Sequence, residues 1–197
     1  MAETLEPFSP TASYFELLDV PVASDEALLT SRFHELSRRY HPDRFGTRDA
    51  ATQMTALQNA ALVNDAYRTL RDPFARAEYL LRRERGTRPD DTKDSQKPPQ
   101  ELFAQVLELQ EALMEYQEAH MEDDEATLAR LRPRLEEARR EFQAAYQSMA
   151  DRLSVLFARY DAQDDRDAVL DELAQVVGTR GYLRRVLTNL DKTLSVV

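Results

Sequence analysis

The stretch SRRYHPDRFG, residues 37–46, places a histidine and a carboxylate two positions apart with a proline between them. His41 and Asp43 could share a proton in acid–base catalysis, or they could each donate a ligand to a metal ion. No nucleophile in a recognisable elbow lies nearby, and we expect Pro42 to splay the two side chains apart. The chain also has three histidines, no cysteine and no helical His-x-x-x-His spacing, which disfavours a metal site.

Two interpretations without chemistry remain for the same residues. Pro42 could simply end a helix and Asp43 could cap the next element, because a residue before proline is pushed out of the α region. Alternatively, the turn could be exposed and recognised by another protein. Its setting favours recognition, since basic residues surround it, at Arg32, Arg38, Arg39 and Arg44. Arg38 and Arg39 have a structural alternative, because cations stabilise the C-terminal end of any helix.

Composition narrows the class of partner. The 197 residues carry a net charge of −10, and nine acidic residues with no basic residue lie between Glu101 and Glu125. Such a chain repels phosphate backbones, so we expect no nucleic-acid partner. No apolar run reaches the roughly 20 residues that a membrane span needs. The absence of cysteine and of a basic leader predicts a cytoplasmic protein.

Glycine is scarce and no segment alternates apolar and polar residues over strand length, so the predicted fold class is all-α. Four helices are predicted in the first part, at residues 12–19, 25–40, 50–70 and 73–85. Ser24 is expected to cap the second and Asp72 the fourth, with Pro73 at its first helical position. The core face of the third is expected to comprise Met54, Leu57, Ala61, Leu62, Ala66, Tyr67 and Leu70. Residues 86–99 hold three prolines and no periodicity, which is typical of a linker. The predicted domains are therefore 1–85 and 100–197.

The second domain shows apolar seams with a period near 3.5, which predicts an antiparallel three-helix bundle. The first helix has a seam that runs from Leu102 to His120. Pro133 predicts a kink in the second helix, or the start of that helix near this point. Gly178 and Gly181 are expected to bend or break the third helix, since each costs about 1 kcal/mol relative to alanine.

On the first helix of the bundle, steps of about 100° per residue place Phe103, Leu107 and Met114 on one flank. Glu108, Glu111 and Glu115 fall opposite the seam, together with Ala104. Two interpretations stay open: the third helix could bury the apolar flank, or the flank could bind a partner that has an apolar patch ringed by basic residues.

The order YFELLDVP, YHPDRF and NDAYRTLRDPFARAEYLL, over about 75 residues, resembles the J-domain family. The resemblance implies a four-helix domain whose second and third helices form a long hairpin with HPD at its tip. It also implies binding to seventy-kilodalton heat-shock chaperones and stimulation of their ATPase. His41, Pro42 and Asp43 would then be the activating contact, and Arg32, Arg38, Arg39 and Arg44 the basic docking surface.

A J-domain followed by an acidic bundle that opens with ELFAQVLELQEALMEY is similar to the HscB family of iron–sulfur cluster assembly. That resemblance implies that the bundle binds the iron–sulfur scaffold protein and delivers it to a chaperone of the HscA or DnaK type. The implied scaffold contacts are Phe103, Ala104, Leu107, Glu108, Glu111, Glu115 and Tyr182. Ala104 is smaller than the apolar residue usual there, and Tyr182 stands where phenylalanine is expected.

The expected function is therefore that of a co-chaperone, without enzymatic activity of its own and without a cofactor. Two alternatives stay open from the sequence. The protein could be a J-domain co-chaperone whose acidic bundle binds a different client, or a small hydrolase that uses His41 and Asp43.

Overall fold

The computed structural model of the chain describes residues 5–86 and 100–195, with side chains from residue 103 onward in the second range. Within those ranges every regular element is helical, which confirms the all-α prediction. The elements are α1 (Tyr14–Leu18), α2 (Glu26–Arg39), a 3₁₀ turn (Pro42–Phe45), α3 (Ala50–Arg71), α4 (Pro73–Arg85), α5 (Gln100–Met121), α6 (Glu125–Asp161) and α7 (Arg166–Ser195). Apart from Gly86, the predicted linker lies outside the described residues.

The chain divides into two compact units. Unit 1 consists of Met1–Leu80 together with Ser154–Arg166, and unit 2 of Leu81–Leu153 together with Asp167–Val197. The end of α6 therefore contributes to unit 1, although it is far away in sequence. The domain boundaries expected from the sequence, at residues 85 and 100, stay predictions.

Side chains fix where the helices of unit 1 begin. The Asp25 carboxylate accepts a hydrogen bond of 2.7 Å from the Leu28 amide, so Asp25 caps α2, and the prediction of Ser24 was wrong. The Ser24 hydroxyl instead donates to the Pro21 carbonyl, within the preceding turn. The predicted cap at the start of α4 is confirmed, because the Asp72 carboxylate accepts from the amides of Phe74 and Ala75.

Helix α3 packs against α1 and α2 through a face that coincides only in part with the predicted one, since Ala66 and Leu70 are buried as expected. Met54, Leu57 and Leu62 are exposed, and the buried positions of α3 follow alternating spacings of three and four at Ala56, Asn59, Val63, Ala66 and Leu70. Two of these residues are alanines, which let neighbouring helices approach closely. The prediction was wrong for Met54, Leu57 and Leu62, because the buried face is turned toward Ala56, Asn59 and Val63.

A buried arginine ties several segments of unit 1 together. The Arg76 side chain donates to the carbonyls of Leu70, Val22 and Ser24 at 2.7–2.9 Å. Its guanidinium carbon lies 5.2 Å from the centroid of the Phe157 ring. Burial lowers the pKa of Arg76 and the charge of Asp161 opposes that shift. Asp161 therefore offsets part of the cost of burying this charge.

Asp161 itself holds the turn before α2. Its carboxylate accepts hydrogen bonds from the backbone amides of Val22 and Ala23, at 3.1 and 2.8 Å. Hydrogen bonds between a carboxylate and amides are charge-assisted and therefore stronger than those between neutral groups. The residues that α6 adds to unit 1 thus complete its polar network as well as its apolar core.

In unit 2, helices α5, α6 and α7 surround one apolar core, lined by Val106, Leu109, Leu113, Tyr116, Leu131, Leu135, Phe142, Leu183, Val186 and Leu190. The predicted seam of α5 is confirmed from Val106 to Tyr116, but His120 is exposed and Ala119 is buried in its place.

Neither of the predicted helix breakers in unit 2 interrupts a helix. Helix α7 runs through Gly178 and Gly181, because buried residues on both sides of the glycines, such as Val177 and Leu183, hold it in the core. Helix α6 begins at Glu125 and contains Pro133, so a start near Pro133 was wrong.

The Arg76 network gives a stability prediction. Replacing Arg76 by methionine keeps a long apolar side chain but leaves three buried carbonyls without their donor. We expect the free energy of unfolding to fall by about 2–4 kcal/mol, measured by urea denaturation. Arg71→Met is the matched control: Arg71 is 58% exposed and pairs with Glu26, so we expect a loss below about 1 kcal/mol. Equal losses for the two variants would contradict this role of Arg76.

Candidate functional site

The connection between α2 and α3 exposes the HPD sequence. His41 has an extended backbone (φ −60°, ψ 127°), and Pro42 starts the 3₁₀ turn that leads toward α3. The side chain of His41 is 58% exposed and that of Asp43 is 88% exposed. We call residues 41–45 the HPD turn; none of the residues of its 3₁₀ segment is buried.

The two titratable side chains of the turn are closer together than the sequence predicted. The Nδ1 atom of His41 lies 3.5 Å from Oδ2 of Asp43 and accepts a long hydrogen bond of 3.4 Å from the Asp43 amide. The tight 3₁₀ backbone folds Asp43 back toward His41, which outweighs the splaying expected from Pro42. Within the described ranges, no hydroxyl group hydrogen-bonds to His41, so the pair activates no nucleophile in this structure.

The four predicted docking arginines have different environments. Arg38 and Arg39 are exposed and have no carboxylate partner in the described part of the chain. Arg44 donates to the carbonyls of Arg38 and Arg39, at 3.2 and 3.5 Å, and so satisfies the end of α2. Arg32 pairs with Asp19 and, at 3.1 Å, with Glu35. Arg38 and Arg39 are thus free of carboxylate partners in the described ranges, although the guanidinium carbon of Arg39 lies 5.6 Å from the centroid of the Tyr40 ring. Arg32 and Arg44 serve the fold.

On α5 the flank predicted from the helical angles is open to solvent. Phe103 is 56% exposed, Leu107 is 52% and Met114 is 69%, so α7 does not bury this flank. Met121, at 79%, falls at nearly the same helical angle and was missed by the sequence reasoning. We call Phe103, Leu107, Met114 and Met121 the α5 stripe. A line of exposed apolar side chains along one helix is typical of a partner-binding surface.

Acidic residues border the α5 stripe, and α6 neutralises some of them. Arg130 pairs with Glu115, and Arg134 lies 3.9 Å from Glu108. Ala104 and Glu111 are exposed, and Glu111 forms no ion pair among the described residues. The predicted acidic surface is therefore present, but only part of its charge is free to meet a basic partner.

Tyr182 lies on α7 and faces the seam of α5. It lines a cleft with Val106, Leu109 and Gln110, and two of these lie one helical turn from Phe103 and Leu107. Its side chain is partly buried, and burial raises the pKa of its hydroxyl above the ordinary value. Tyr182 therefore lies beside the seam of α5, and its grouping with Phe103 and Leu107 as a scaffold contact stays a prediction.

The described residues contain no cluster of histidine, cysteine, aspartate or glutamate that could hold a metal ion. Nor does any helix in the described ranges combine the length and apolar character of a membrane span.

Comparisons with known proteins identify the first unit. Residues 13–79 match the family model of the DnaJ domain. Curated relatives named co-chaperone protein HscB homolog include one from Vibrio cholerae, 49% identical over 71 residues, which covers 35% of this chain and 42% of the relative. The relative from Vibrio campbellii is 41% identical over 103 residues, or 51% of this chain and 59% of the relative. The chain therefore spans about half the length of the curated relatives it matches.

Solved structures extend the similarity beyond the DnaJ domain. The chaperone HscB from Vibrio cholerae superposes with a TM-score of 0.51 and 28% identity, over 92% of this chain and 96% of the other. Human co-chaperone protein HscB shares the fold, with a TM-score of 0.60 and 24% identity over 100% of this chain and 89% of the other. The chain therefore contains a match to the DnaJ domain at residues 13–79, and it is similar to HscB co-chaperones in sequence over half of its length and in fold over nearly all of it.

Proposed function

We propose that this protein is a co-chaperone without enzymatic activity, which stimulates the ATPase of a seventy-kilodalton heat-shock chaperone of the HscA or DnaK type. We further propose that its acidic bundle binds the iron–sulfur scaffold protein and delivers it to that chaperone. ATP and any cluster belong to the partners, so the protein itself needs no cofactor. The curated relatives come from bacteria, and we place the protein in the bacterial cytoplasm.

The exposure of the HPD turn is the observation that carries the first part of the proposal. A partner protein can bind only side chains that are exposed to solvent, and both His41 and Asp43 are exposed. Pro42 fixes the backbone between them, which lowers the entropy lost on binding. The Asp43 carboxylate can accept charge-assisted hydrogen bonds from an arginine of the chaperone.

The α5 stripe supports the second part. Phe103 and Leu107 are exposed apolar side chains one helical turn apart, with Glu111 following Leu107 at the same spacing. A partner with an apolar patch and basic residues at its edge would bury the first two and pair with the third. Holding client and chaperone on one molecule raises the effective concentration of each for the other.

A different client stays a second candidate, and one specific feature favours it. Ala104 offers less apolar surface than the HscB resemblance implies, while Met114 and Met121 extend the stripe toward the other end of α5. A methionine-rich edge adapts its shape readily and accommodates varied partners. The hydrolase alternative has no such support, because no hydroxyl in the described ranges hydrogen-bonds to His41.

The HPD turn is tested by Asp43→Asn and by His41→Gln. We expect each variant to reduce the stimulated rate of single-turnover ATP hydrolysis by a cognate chaperone at least about tenfold, because each removes a group from the activating contact. Asp65→Asn is the matched control: it makes the same change of charge at an exposed position of α3. Undiminished stimulation by both HPD variants would overturn the proposed chaperone contact.

The different environments of the arginines predict a graded effect of charge. At low salt, Arg39→Gln should raise the concentration needed for half-maximal stimulation about two- to fivefold, because a free cation speeds the encounter with an acidic surface. Arg32→Gln should have a smaller effect, since Asp19 and Glu35 already compensate its charge. Both effects should shrink at high salt. If Arg32→Gln raised this concentration more than Arg39→Gln does, the expectation that Arg39 contributes more to the encounter than Arg32 would be contradicted.

The α5 stripe is tested by titrating the scaffold protein against Phe103→Ala and Leu107→Ala. If these side chains are anchors, each variant should weaken binding by about 1–3 kcal/mol. Neither should lower the free energy of unfolding by more than about 1 kcal/mol, because both side chains are already exposed. Val155→Ala removes an apolar side chain of similar exposure, 60%, from α6 and serves as the control. Unchanged affinity of both α5 variants would favour a different client or a different surface.

A further inference from the structure

The segment before α1 is fastened to α3 by a buried amide. Asn59 is 0% exposed. Its Oδ1 atom accepts a hydrogen bond from the Phe8 amide at 3.1 Å, and its Nδ2 atom donates to the Glu6 carbonyl at 3.0 Å. One side chain thus satisfies a donor and an acceptor of the same short segment. Because an unpaired buried amide is costly, this pair of bonds specifies where residues 6–8 lie.

The same segment packs on the residue that precedes the HPD turn. The ring of Phe8 meets the ring of Tyr40 edge to face, with centroids 5.0 Å apart. Tyr40 is 7% exposed and ends α2, and the next residue is His41. Edge-to-face aromatic pairs add about 0.5–1.5 kcal/mol beyond the burial of their area. Phe8 therefore helps to fix Tyr40, the residue that immediately precedes the HPD turn.

A shallow depression lies between the N-terminal segment and the HPD turn. Leu5 and Glu6 line it from the N-terminal side, and Arg44 and Phe45 line it from the HPD turn, with Arg39, Tyr40 and Arg48 completing the wall. The N-terminal segment and the turn are therefore neighbours in space, although more than thirty residues of sequence separate them.

The HPD turn has few restraints of its own. Its 3₁₀ segment buries no residue, and its internal hydrogen bond from the Asp43 amide to His41 is long, at 3.4 Å. Arg44 and α3 hold the turn from its far end. On the side of α2, Tyr40 is the buried anchor, so whatever fixes the Tyr40 ring also limits the motion of the turn.

We propose that residues 5–8 act as a positioning element for the HPD turn, with Phe8 and Asn59 as its positioning residues. The proposal rests on the proposed chaperone contact, and it assigns a role to a segment that precedes the matched DnaJ domain. Phe8 holds Tyr40 in place and Asn59 holds Phe8, so the turn meets the chaperone already ordered. Preorganisation of this kind raises affinity by reducing the entropy lost on binding.

Phe8→Ala in the full-length protein is the central test. Amide hydrogen exchange should quicken about 2- to 12-fold at Tyr40 and Arg44, whose amides donate to the carbonyls of Leu36 and His41. The concentration for half-maximal ATPase stimulation should rise by a similar factor. The stimulation at saturation should stay unchanged, because the groups that touch the chaperone are intact.

Three further variants separate positioning from general stability. Phe8→Tyr keeps an aromatic ring at this half-buried position, so its amide exchange and its concentration for half-maximal stimulation should match those of wild type. Asn59→Ala should quicken exchange and raise that concentration, as Phe8→Ala does. Thr11→Ala removes only an exposed hydroxyl contact with Ser9 and should have no effect. Exchange at the amides of α5 and scaffold binding should be the same in Phe8→Ala and wild type.

The outcomes distinguish the two proposals. If wild-type protein stimulates the chaperone and Phe8→Ala matches it in exchange and in half-maximal concentration, the positioning role is wrong and the proposed function stands. If Phe8→Ala quickens exchange throughout unit 1, or if Phe8→Tyr fails to restore the behaviour, the role is likewise wrong. If wild-type protein fails to stimulate, the proposed function falls, while the exchange at Tyr40 and Arg44 still decides whether Phe8 orders the turn.

Discussion

The steric restriction that Pro42 places on His41 is the constraint on which the rest of unit 1 depends. Helix α2 cannot continue through a residue that precedes proline, so it ends at Arg39 with its last carbonyls unpaired. Arg44, two residues beyond the proline, reaches back to two of those carbonyls. The chain therefore reverses direction with its polar backbone satisfied, and the side chains of His41 and Asp43 are left facing water.

Charge is distributed so that each unit offers a surface of a different kind. In unit 1, acidic residues compensate Arg32 and Arg71, while Arg38 and Arg39 beside the HPD turn have no carboxylate partner among the described residues. In unit 2, arginines of α6 compensate two of the glutamates on α5, and an exposed apolar line runs beside the others. Ion pairs within each unit thus neutralise many of the charged side chains. Several side chains that stay unpaired among the described residues, such as Arg38, Arg39 and Glu111, lie on the surfaces where we propose that partners bind.

Much of this architecture could be predicted from the sequence, because it depends on local signals. Pro42 and Pro73 marked helix boundaries, and the spacing of Leu109, Leu113 and Tyr116 marked the core face of α5. The exposure of the flank at Phe103 and Leu107 could not be decided from periodicity, since it depends on where α7 lies.

The errors have tertiary causes. Helix α7 continues through Gly178 and Gly181, because the burial of its apolar side chains stabilises it by more than the cost of about 1 kcal/mol per glycine. The role of Asn59 was not foreseen, because its two partners come from a segment about fifty residues away. The most direct test of the central claim is a nuclear magnetic resonance titration of the isotope-labelled full chain with an ATP-bound cognate chaperone. Our account predicts that the largest perturbations fall on the amides of residues 38–45, and perturbations that spare these residues and fall only on unit 2 would contradict it.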